Sequence, residues 1–495
     1  MTTLLLALPV ALPLLAALIA VAAARIAADL AMATGLLVLG LAVWLVAEVA
    51  HAGPVSIALG GWEAPLGIVL HADGLGASFL LVTALIMAAV LPAARQGFAD
   101  RGAETRAGFA FWPLALLLFA GMNTAFLSRD LFNLFVALEL LTLSAVALVA
   151  IEGKAETITA ALRYMIFALL GSVLFLLGAA LAYSAYATLD MTRLAGVAAG
   201  DWPMAAAVAL MTLGLAIKTA LFPFHAWLPP AHSGAPAPAS AMLSALVPKA
   251  SFVIMLRLWF EVVPDLASPL LVLVLGSLGA VAVVWGSLLA IGQARLKLII
   301  AYSTVAQLGY LFLVFPLAGG VGAAQPWAAG AWTAVSFHAF SHALAKAAMF
   351  LAAGLFLRAV GHDRLEGLRG LARAMPIACF AFGLSAIALM GLPPSGGFTA
   401  KYLLLTSAFA SGQWIWGVVL VAGGLLAAVY LFRPLNLMFS KEGADPATLR
   451  PVPRGEQALP LLLALAAILL GIASSGPFDF LQIGRPGDAA AGLAP

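Results

Sequence analysis

Long apolar segments dominate this chain and limit it to a bilayer environment. Fourteen segments are apolar over about 20 residues or more, which is the length of helix that crosses the hydrocarbon core. Only 9% of the residues are charged, whereas soluble domains carry about 25%, so the chain cannot cover a water-facing surface. The apolar runs are continuous rather than alternating, which predicts helices and not a barrel.

The sequence therefore predicts an all-α membrane protein with about 14 transmembrane helices. These segments are 3–24, 29–50, 74–95, 108–127, 130–151, 157–186, 204–224, 237–262, 268–291, 295–317, 327–357, 374–409, 414–440 and 457–475. The loops between them are too short for a soluble domain. We expect residues 1–495 to form a single polytopic membrane domain with no appended catalytic module.

The basic residues are distributed unevenly between the loops of the two sides. Alternate loops place 14 of the 24 Lys and Arg residues on one side and 3 on the other, and 7 lie within spans. The 14 are Arg25, Arg95, Arg101, Arg106, Lys154, Arg295, Lys297, Arg358, Arg364, Arg369, Arg373, Lys441, Arg450 and Arg454. The positive-inside rule makes this basic side cytoplasmic, so both termini face outward, across a bacterial cytoplasmic (inner) membrane. A net charge of +3 does not indicate nucleic acid as a partner.

The basic residues within the spans fall into two groups. Three arginines lie nearer helix ends, from which a long side chain can reach the interface: Arg163, Arg257 and Arg433. Four lysines have apolar sequence on both sides: Lys218, Lys249, Lys346 and Lys401. A lysine at a helix centre costs about 2.5–3.5 kcal/mol to insert, so four cost on the order of 10 kcal/mol. That is comparable with the stability of a whole protein, so these lysines indicate a function.

One acidic residue, Glu139 in FNLFVALELLTLSAV, falls in the middle of a span. A lone buried carboxylate stays protonated unless a cation lies beside it, and Lys218 is the candidate partner. An ion pair that only locks two helices together is the alternative, but it leaves the other three lysines unexplained.

The eleventh span, with SFHAFSHALAKAAMF, places His338, His342 and Lys346 at steps of four residues. This spacing puts them along one helix face, each step rising about 6 Å. Imidazole takes and gives protons near neutral pH, and a lysine removed from water exchanges its proton more readily. The row predicts a segment of a proton wire. Histidines satisfied by neighbouring polar groups are the alternative, and no metal is expected because no further Cys, Asp or Glu ligand lies on this helix.

Two spans contain clusters of helix-breaking residues close to a lysine. Pro223 follows Lys218 in the seventh span, and GLPPSGGF precedes Lys401 in the twelfth. Helices interrupted in matching positions indicate inverted repeats around a midplane ion site, although a plain kink explains either cluster alone. We therefore predict broken helices 7 and 12 and two inverted five-helix repeats. The repeats cover 107–262 and 268–440, flanked by helices within 1–95 and 457–475.

Two further histidines, His225 and His232 in FHAWLPPAHSGAPAP, fall in a loop on the cytoplasmic side. They are candidates for proton uptake there, although loop histidines often have no such role. The single cysteine, Cys379, excludes intrachain disulfides and thiolate or iron–sulfur sites, and no nucleotide-binding loop occurs. We expect no cofactor and no redox step in this chain; at most it is a proton-pumping subunit of a larger oxidoreductase.

Six sequence motifs occur in an order that resembles a known family. They are DLFNLFVALELL at 130–141, AIKTALFPFHAWLPPAH at 216–232, LVPKASFVIMLR at 246–257, LKLIIAYSTVAQLGY at 296–310, HALAKAAMFLAAG at 342–354 and GLPPSGGFTAKYLL at 391–404. Together they resemble the proton-conducting antiporter-like membrane subunits of respiratory complex I, membrane-bound hydrogenases and Mrp-type cation/proton antiporters. The DLFNLFV motif most resembles the D-type subunits of Mrp antiporters.

The resemblance implies a role for each intramembrane group. Glu139 would pair with Lys218 and modulate Lys249, the central proton carrier. The row of His338, His342 and Lys346 would link two half-channels, and Lys401 would gate the outward side. The resemblance also implies partners: other membrane subunits of the same complex, and Na⁺ or K⁺ as the exchanged cation.

Three departures leave other branches of the family open. Lys401 stands where one complex I relative would carry glutamate, ALELLTLSAVALVA lacks an aromatic continuation, and Pro248 precedes the central lysine. A cation/proton antiporter subunit is the leading hypothesis, and a redox-driven proton-pumping subunit is the second. A membrane scaffold and a stand-alone transporter for an organic solute are weaker alternatives.

Overall fold

The computed structural model of the chain describes residues 2–98, 105–198, 200–319, 325–441 and 449–486. Arg101, which the sequence analysis assigned to the basic side, lies outside these ranges. The described residues form α-helices joined by short loops, with one two-stranded sheet near the N-terminus.

The N-terminal part consists of three helices and a hairpin. Its elements are α1 (Thr2–Ala22), α2 (Ala27–Ala52), β1 (Val55–Ala58), β2 (Val69–Ala72) and α3 (Gly74–Phe98). The two strands pair antiparallel, with Val55 opposite Ala72. The all-α prediction missed this hairpin, because strands of four residues are too short to produce a recognisable alternation.

The first of the two halves predicted from the sequence runs from α4 to a π-helical turn. Its α-helices are α4 (Arg106–Leu127), α5 (Leu131–Ala150), α6 (Ala155–Tyr186), α7 (Met191–Val197), α8 (Trp202–Lys218), α9 (Leu228–Gly234), α10 (Ala237–Ala245) and α11 (Val247–Arg257). A 3₁₀-helix, Phe224–Trp227, precedes α9, and the π-helical turn Leu258–Val262 follows α11.

The second half and the C-terminal part contain the remaining helices. They are α12 (Pro269–Ile291), α13 (Leu296–Leu311), α14 (Val314–Ala318), α15 (Pro326–Val360), α16 (Pro376–Met390), α17 (Gly396–Ala410), α18 (Trp414–Met438), α19 (Arg454–Ile472) and α20 (Ser475–Gln482). The long helix α15 packs against α10, α13, α16, α17 and α19, so it lies at the centre of the protein.

The helical membrane architecture predicted from the sequence is confirmed, but the number of candidate spans is lower than fourteen. Among the described residues, 12 helices are long and apolar enough to cross a bilayer, or 13 if the bent pair Leu365–Arg373 and Pro376–Met390 is one span. The pair is bent by 114°. Two predicted spans account for the difference: α8 has only 17 residues, and the segment predicted as 374–409 is divided into α16 and α17.

Proline and glycine residues interrupt the chain at three places. α8 ends at Lys218 before Pro223, and α16 ends at Met390, where the Pro/Gly cluster begins. The eighth segment, predicted as a continuous helix, is also interrupted: Leu246 separates α10 from α11. Pro248 explains this third break, because proline has no N–H to donate to the preceding turn.

The helices differ in how much of their surface is covered by protein. The most apolar 18-residue window of Ala237–Val262 is 100% buried and that of Leu296–Ala318 is 89% buried, against 39% for α6 and for α18. The inner helices α10, α11, α13 and α15 therefore provide a protein-enclosed centre, whereas the outer helices face lipid on one side. Polar groups at mid-depth are tolerable only in such a centre.

Loops that the sequence assigned to the basic side contact one another. Arg295 Nε lies 2.9 Å from Asp363 Oδ1, and Arg358 forms an ion pair with Glu456. These contacts agree with the assignment of alternate loops to the same side of the membrane, from which the basic residues of each side were counted. That the basic side is the cytoplasmic one stays a prediction.

A buried ion cluster lies at the opposite side, where β2 leads into α3. Arg257 donates to Asp73 Oδ2 at 2.7 Å, to Asp73 Oδ1 at 2.9 Å and to Glu261 Oε1 at 2.8 Å. Arg129 donates to Asp73 Oδ2 at 3.1 Å and also bonds to Glu261. The expectation that Arg257 reaches the interface is therefore wrong: its side chain is 1% exposed, because two carboxylates neutralise it inside the protein.

The cluster balances its own charge. Burial disfavours the carboxylate of Asp73, but the guanidinium groups of Arg257 and Arg129 outweigh burial and keep the pKa of Asp73 below its usual value. Burial and the charges of Arg129 and Arg257 lower the pKa of neighbouring His71 to about 3, so its ring stays neutral. Two guanidinium groups thus face two carboxylates, which ties the hairpin, the start of α5 and the end of α11 together.

Asp73→Asn is expected to lower the free energy of unfolding by about 3–5 kcal/mol, because removing one partner of a buried ion cluster leaves a charge uncompensated. Thermal unfolding of the purified protein in detergent measures the loss. Asp29→Asn is the matched control, since the Asp29–Arg95 pair has side chains 65% and 50% exposed and such pairs contribute about 0–1 kcal/mol. Equal losses in the two variants would contradict this account of the cluster.

Candidate functional site

The amine of Lys249 rests on a backbone carbonyl that a proline leaves free. Lys249 is 1% exposed, and its Nζ donates to Ser244 O at 2.6 Å. In a continuous helix Ser244 O would accept from the N–H four residues later, but that residue is Pro248 and has none. The break between α10 and α11 therefore supplies the acceptor that keeps this amine inside the protein.

The amine of Lys401 is bound in the same way. Lys401 Nζ donates to Leu389 O at 2.9 Å and to Met390 O at 3.2 Å, at the end of α16. The residues four positions after these carbonyls are Pro393 and Pro394, so neither carbonyl has its helical donor. The glycine that follows Met390 has a φ of +81°, and a Cβ there would lie 2.6 Å from the lysine side chain, so the amine's approach requires glycine.

Lys346 has no exposed surface and bonds to α13. Its Nζ donates to Ile300 O at 2.7 Å and also to Ser303 Oγ. Thr304 Oγ1 donates to the same carbonyl at 3.1 Å, so Ile300 O accepts hydrogen bonds from side chains of two helices, α13 and α15. Lys346 thereby connects the middle of α15 to α13.

Glu139 and Lys218 lie side by side, as the sequence analysis expected. The distance from Lys218 Nζ to Glu139 Oε1 is 3.5 Å, and the same amine donates to Thr142 Oγ1 at 2.8 Å. The carboxylate also accepts a hydrogen bond from Ser172 on α6. Lys218 is the last residue of α8, so the helix end carries the amine to the carboxylate on α5.

Two pairs of hydroxyl groups join the lysine-bearing segments. Thr219, next to Lys218, donates to Ser251 Oγ at 2.9 Å on the helix that carries Lys249. Ser244 Oγ and Thr304 Oγ1 are 2.8 Å apart. This contact joins α10, which binds the amine of Lys249, to α13, which binds the amine of Lys346. Polar side chains thus occupy the intervals between consecutive lysines.

The histidines of α15 extend this row toward Lys401. The rings of His338 and His342 are stacked with centroids 6.1 Å apart, and His338 Nε2 lies 3.1 Å from Gln307 O. The ring of Tyr310 lies 5.4 Å from that of His338 and 4.6 Å from Lys401 Nζ. One aromatic ring therefore separates the histidine row from the last lysine.

The structure places His225 and His232 differently from the sequence analysis. They lie in short helices rather than in an open loop, and both are buried. His232 is 1% exposed, and the positive charges of three lysines, Lys249, Lys346 and Lys297, act on its ring. His232 thus lies in the protein interior near the buried lysines, whereas the ring of His225 stacks on that of Phe222 with centroids 5.6 Å apart.

Several buried ring nitrogens have no hydrogen-bond partner in the part of the chain that the structure describes. These are Nδ1 of His225 and of His338, Nε2 of His342 and both ring nitrogens of His232. Buried polar atoms of this kind are ordinarily satisfied by ordered water. Across the same ranges no three His, Cys, Asp or Glu side chains come together as metal ligands.

Sequence reasoning missed the neutral polar residues of the row. Ser244, Thr304, Ser303 and Tyr310 are common in membrane helices as packing residues, so composition gives them no weight. Their only sequence signal is helical spacing from a lysine or a proline, as with Ser244, which precedes Pro248 by four residues. The ion cluster around Asp73 was missed because its members are far apart in the chain.

The fold and these side chains define a polytopic membrane protein with buried lysines and histidines at its centre. The transmembrane family described as NADH:quinone oxidoreductase/Mrp antiporter matches residues 128–427, which is more than half of the chain. The chain therefore belongs to this family, and the family predicted from the six motifs is confirmed.

Relatives from both branches of the family are similar to this chain. It is 35% identical to the N-type subunit of NADH-quinone oxidoreductase from Desulforudis audaxviator (strain MP104C), over 90% of this chain and 88% of the relative. It is 30% identical to the D-type subunit of the Na(+)/H(+) antiporter from Alkalihalophilus pseudofirmus, over 91% and 90%. A chain in the structure of the Mrp complex from Dietzia sp. DQ12-45-1b superimposes with a TM-score of 0.87 at 28% identity, covering 97% of this chain and 96% of that one.

Pro248→Ala tests whether the helix break holds the amine of Lys249. Alanine supplies an N–H that competes for Ser244 O, and one backbone hydrogen bond is worth about 0.5–1.5 kcal/mol, or a two- to tenfold shift in occupancy. We expect proton flux in membrane vesicles to fall by a similar factor at unchanged protein levels. Pro92→Ala, within α3, is the control. If both variants transport equally well, the proline does not position the amine.

Proposed function

We propose that this chain translocates protons as an antiporter-like component of a multisubunit membrane complex. The path consists of the ionisable groups Glu139, Lys218, Lys249, Lys346, His342, His338 and Lys401, all of which except Glu139 are buried. Two observations carry the proposal: hydroxyl pairs join the segments that bear or bind Lys218, Lys249 and Lys346. One aromatic ring, that of Tyr310, lies between His338 and Lys401. Scattered structural ion pairs would not produce such a row.

The first step is electrostatic. Movement of Lys218 toward or away from Glu139 changes the field at Lys249 and so its affinity for a proton. At an effective dielectric of about 20, a unit charge 4 Å away contributes about 4 kcal/mol, and half as much at 8 Å. Either value is large enough to load or unload the amine. At the present separation of 3.5 Å the amine of Lys218 contacts Glu139 and Thr142 together.

The second step carries the proton from Lys249 to Lys401. Lys346, His342 and His338 take it in turn along one face of α15, with water completing the bonds that their ring nitrogens lack. Tyr310 lies between the last histidine and Lys401. Lys401 then releases the proton toward the outward side.

The organisation predicted from the sequence supports this path. We propose that α8 and the pair α16–α17 also cross the bilayer, which gives fourteen spans in one membrane domain. We further propose inverted repeats at 107–262 and 268–440. The support is that each half contains a helix break beside a lysine, at Lys218 and at Lys401. With this topology the basic side is cytoplasmic and both termini lie outside.

We propose a monovalent cation/proton antiporter as the parent complex, with Na⁺ or K⁺ as the exchanged ion. The likeness to a D-type antiporter chain in sequence, and to a chain of an Mrp complex in fold, supports this assignment. The second candidate is a redox-driven complex of the complex I type, which the 35% identity to an N-type oxidoreductase chain favours. In either case this chain moves protons and its partners supply the energy.

Inverted vesicles that contain the complete complex distinguish the two candidates. A pH change that depends on added Na⁺ or K⁺, and that persists without an electron donor, would support the antiporter. A pH change that requires an electron donor and stops with a respiratory inhibitor would support the redox-driven complex. The genes next to this one provide an independent answer, because the two complexes have different companion subunits.

Lys249→Ala should abolish proton flux while the complex still assembles, because alanine cannot carry a proton. Lys249→Arg should fail as well, since guanidinium does not release its proton in this pH range. Flux is measured by the fluorescence of a pH-sensitive dye in inverted vesicles. Lys441→Ala, an exposed lysine on the basic side, is the control. Wild-type flux in either Lys249 variant would refute the carrier role.

Thr304→Val removes a hydroxyl between Lys249 and Lys346 without changing the shape of the side chain. We expect proton flux to fall about tenfold, because the valine side chain cannot transfer a proton. Thr304→Ser keeps a hydroxyl and should restore most of the flux. The same vesicle assay applies, with the amount of assembled complex determined in parallel. Normal flux in the valine variant would show that protons bypass the Ser244–Thr304 pair.

A further inference from the structure

Lys297 differs from the other basic residues of its side. Charge alternation places it with the loop residues of the basic side, yet it is the second residue of α13 and only 3% exposed. Its amine donates to Ala235 O, at the end of α9. The carboxylates of Asp363 and Glu152 act on it from a distance, and Asp363 is itself bound to Arg295 at 2.9 Å. Lys297 is therefore a buried amine that the proposed path does not yet use.

A cavity of about 270 Å³ lies beside the turn whose carbonyl accepts from this amine. Its lining includes Pro236 and Ala237, which follow the carbonyl that Lys297 binds, together with Glu152, Arg358 and Glu456. The side chains of Glu152 and Arg358 are 21% and 38% exposed, so the cavity reaches the surface of the basic side. At about 30 Å³ for each molecule, it has room for several waters.

His232 lies three residues before the carbonyl that Lys297 binds. Ser240 Oγ donates to His232 O at 2.6 Å and to Ala235 O at 3.1 Å, so the turn that binds Lys297 also carries the histidine. The ring of His232 lies 6.0 Å from that of Phe350, one helical turn after Lys346. Neither ring nitrogen has a partner among the described residues, and the amines of Lys249, Lys346 and Lys297 are all near enough to interact electrostatically with the ring.

We propose that Lys297 is the proton uptake residue of this protein. Water in the cavity beside Glu152 gives a proton to the neutral amine, and the resulting ammonium passes it to the neutral imidazole of His232. The imidazolium then hands it to Lys249 or Lys346, which restores both carriers; one proton moves at each step and no electrons are transferred. This inference rests on the proposed function and adds the point at which the path meets the basic side.

If Lys297 had only a structural role, its substitutions would affect proton flux differently. A lysine near the end of a helix can cap its last carbonyls, as Lys297 caps α9. Glutamine and arginine would both keep a donor for Ala235 O, but neither side chain can take and release a proton. Histidine can do so, although its shorter side chain makes a poorer cap. The three substitutions therefore separate capping from proton carriage.

The experiment compares Lys297→Gln, Lys297→Arg and Lys297→His in inverted vesicles that contain the complete complex. We expect the Gln and Arg variants to assemble normally but to lose flux by about tenfold or more, since positioned proton-transfer groups contribute about 10²–10⁴-fold. The His variant should recover part of the loss. Lys441→Gln, an exposed lysine on the same side, controls for the loss of a surface charge.

Each other outcome overturns a defined part of the argument. Near-normal flux in Lys297→Gln would make the residue a helix cap, and so would failure of all three variants to assemble. Lys249→Ala in the same vesicles keeps the two proposals apart. Flux in that variant would refute the proposed function itself, whereas loss of flux there with normal flux in Lys297→Gln would refute only the uptake role.

Discussion

The contact between a buried lysine amine and a free backbone carbonyl makes the rest of this structure possible. An amine inside a membrane protein needs acceptors, and in an unbroken helix each carbonyl already has one donor, so only its second lone pair is left, as Ile300 O offers to Lys346. Pro248 leaves Ser244 O free for Lys249, and the proline pair 393–394 leaves two carbonyls free for Lys401. At Lys249 and Lys401 the helix break and the lysine are thus two parts of one arrangement.

This arrangement also allows proton movement. An amine bound to neutral carbonyls lacks the carboxylate that would fix it in the charged form, so it can lose its proton without leaving an opposite charge unpaired. The ion cluster around Asp73 is the contrasting case, since two guanidinium groups and two carboxylates hold one another in their charged forms. The protein therefore contains one buried charge system suited to stability and another suited to exchange.

The sequence predicted the ionisable groups of the site because each is costly in lipid. Glu139 and the row His338, His342 and Lys346 were recognised without a structure, and Glu139 does lie beside Lys218. Neutral hydroxyls such as Ser244 and Thr304 carry no such cost, so their position between lysines could not be predicted. The hairpin was too short for its pattern to be recognised, and the burial of Lys297 was not predicted because proximity to a predicted helix end does not indicate exposure.

Hydropathy and charge spacing by themselves determined that this chain is a helical membrane protein with amines at mid-depth, because the transfer of apolar and charged groups into lipid depends on residue type alone. Tertiary structure decided which carbonyl each amine binds, which hydroxyls lie between them and which arginine is buried among carboxylates. Those outcomes depend on distances between helices that are remote in sequence, and no local pattern encodes such distances.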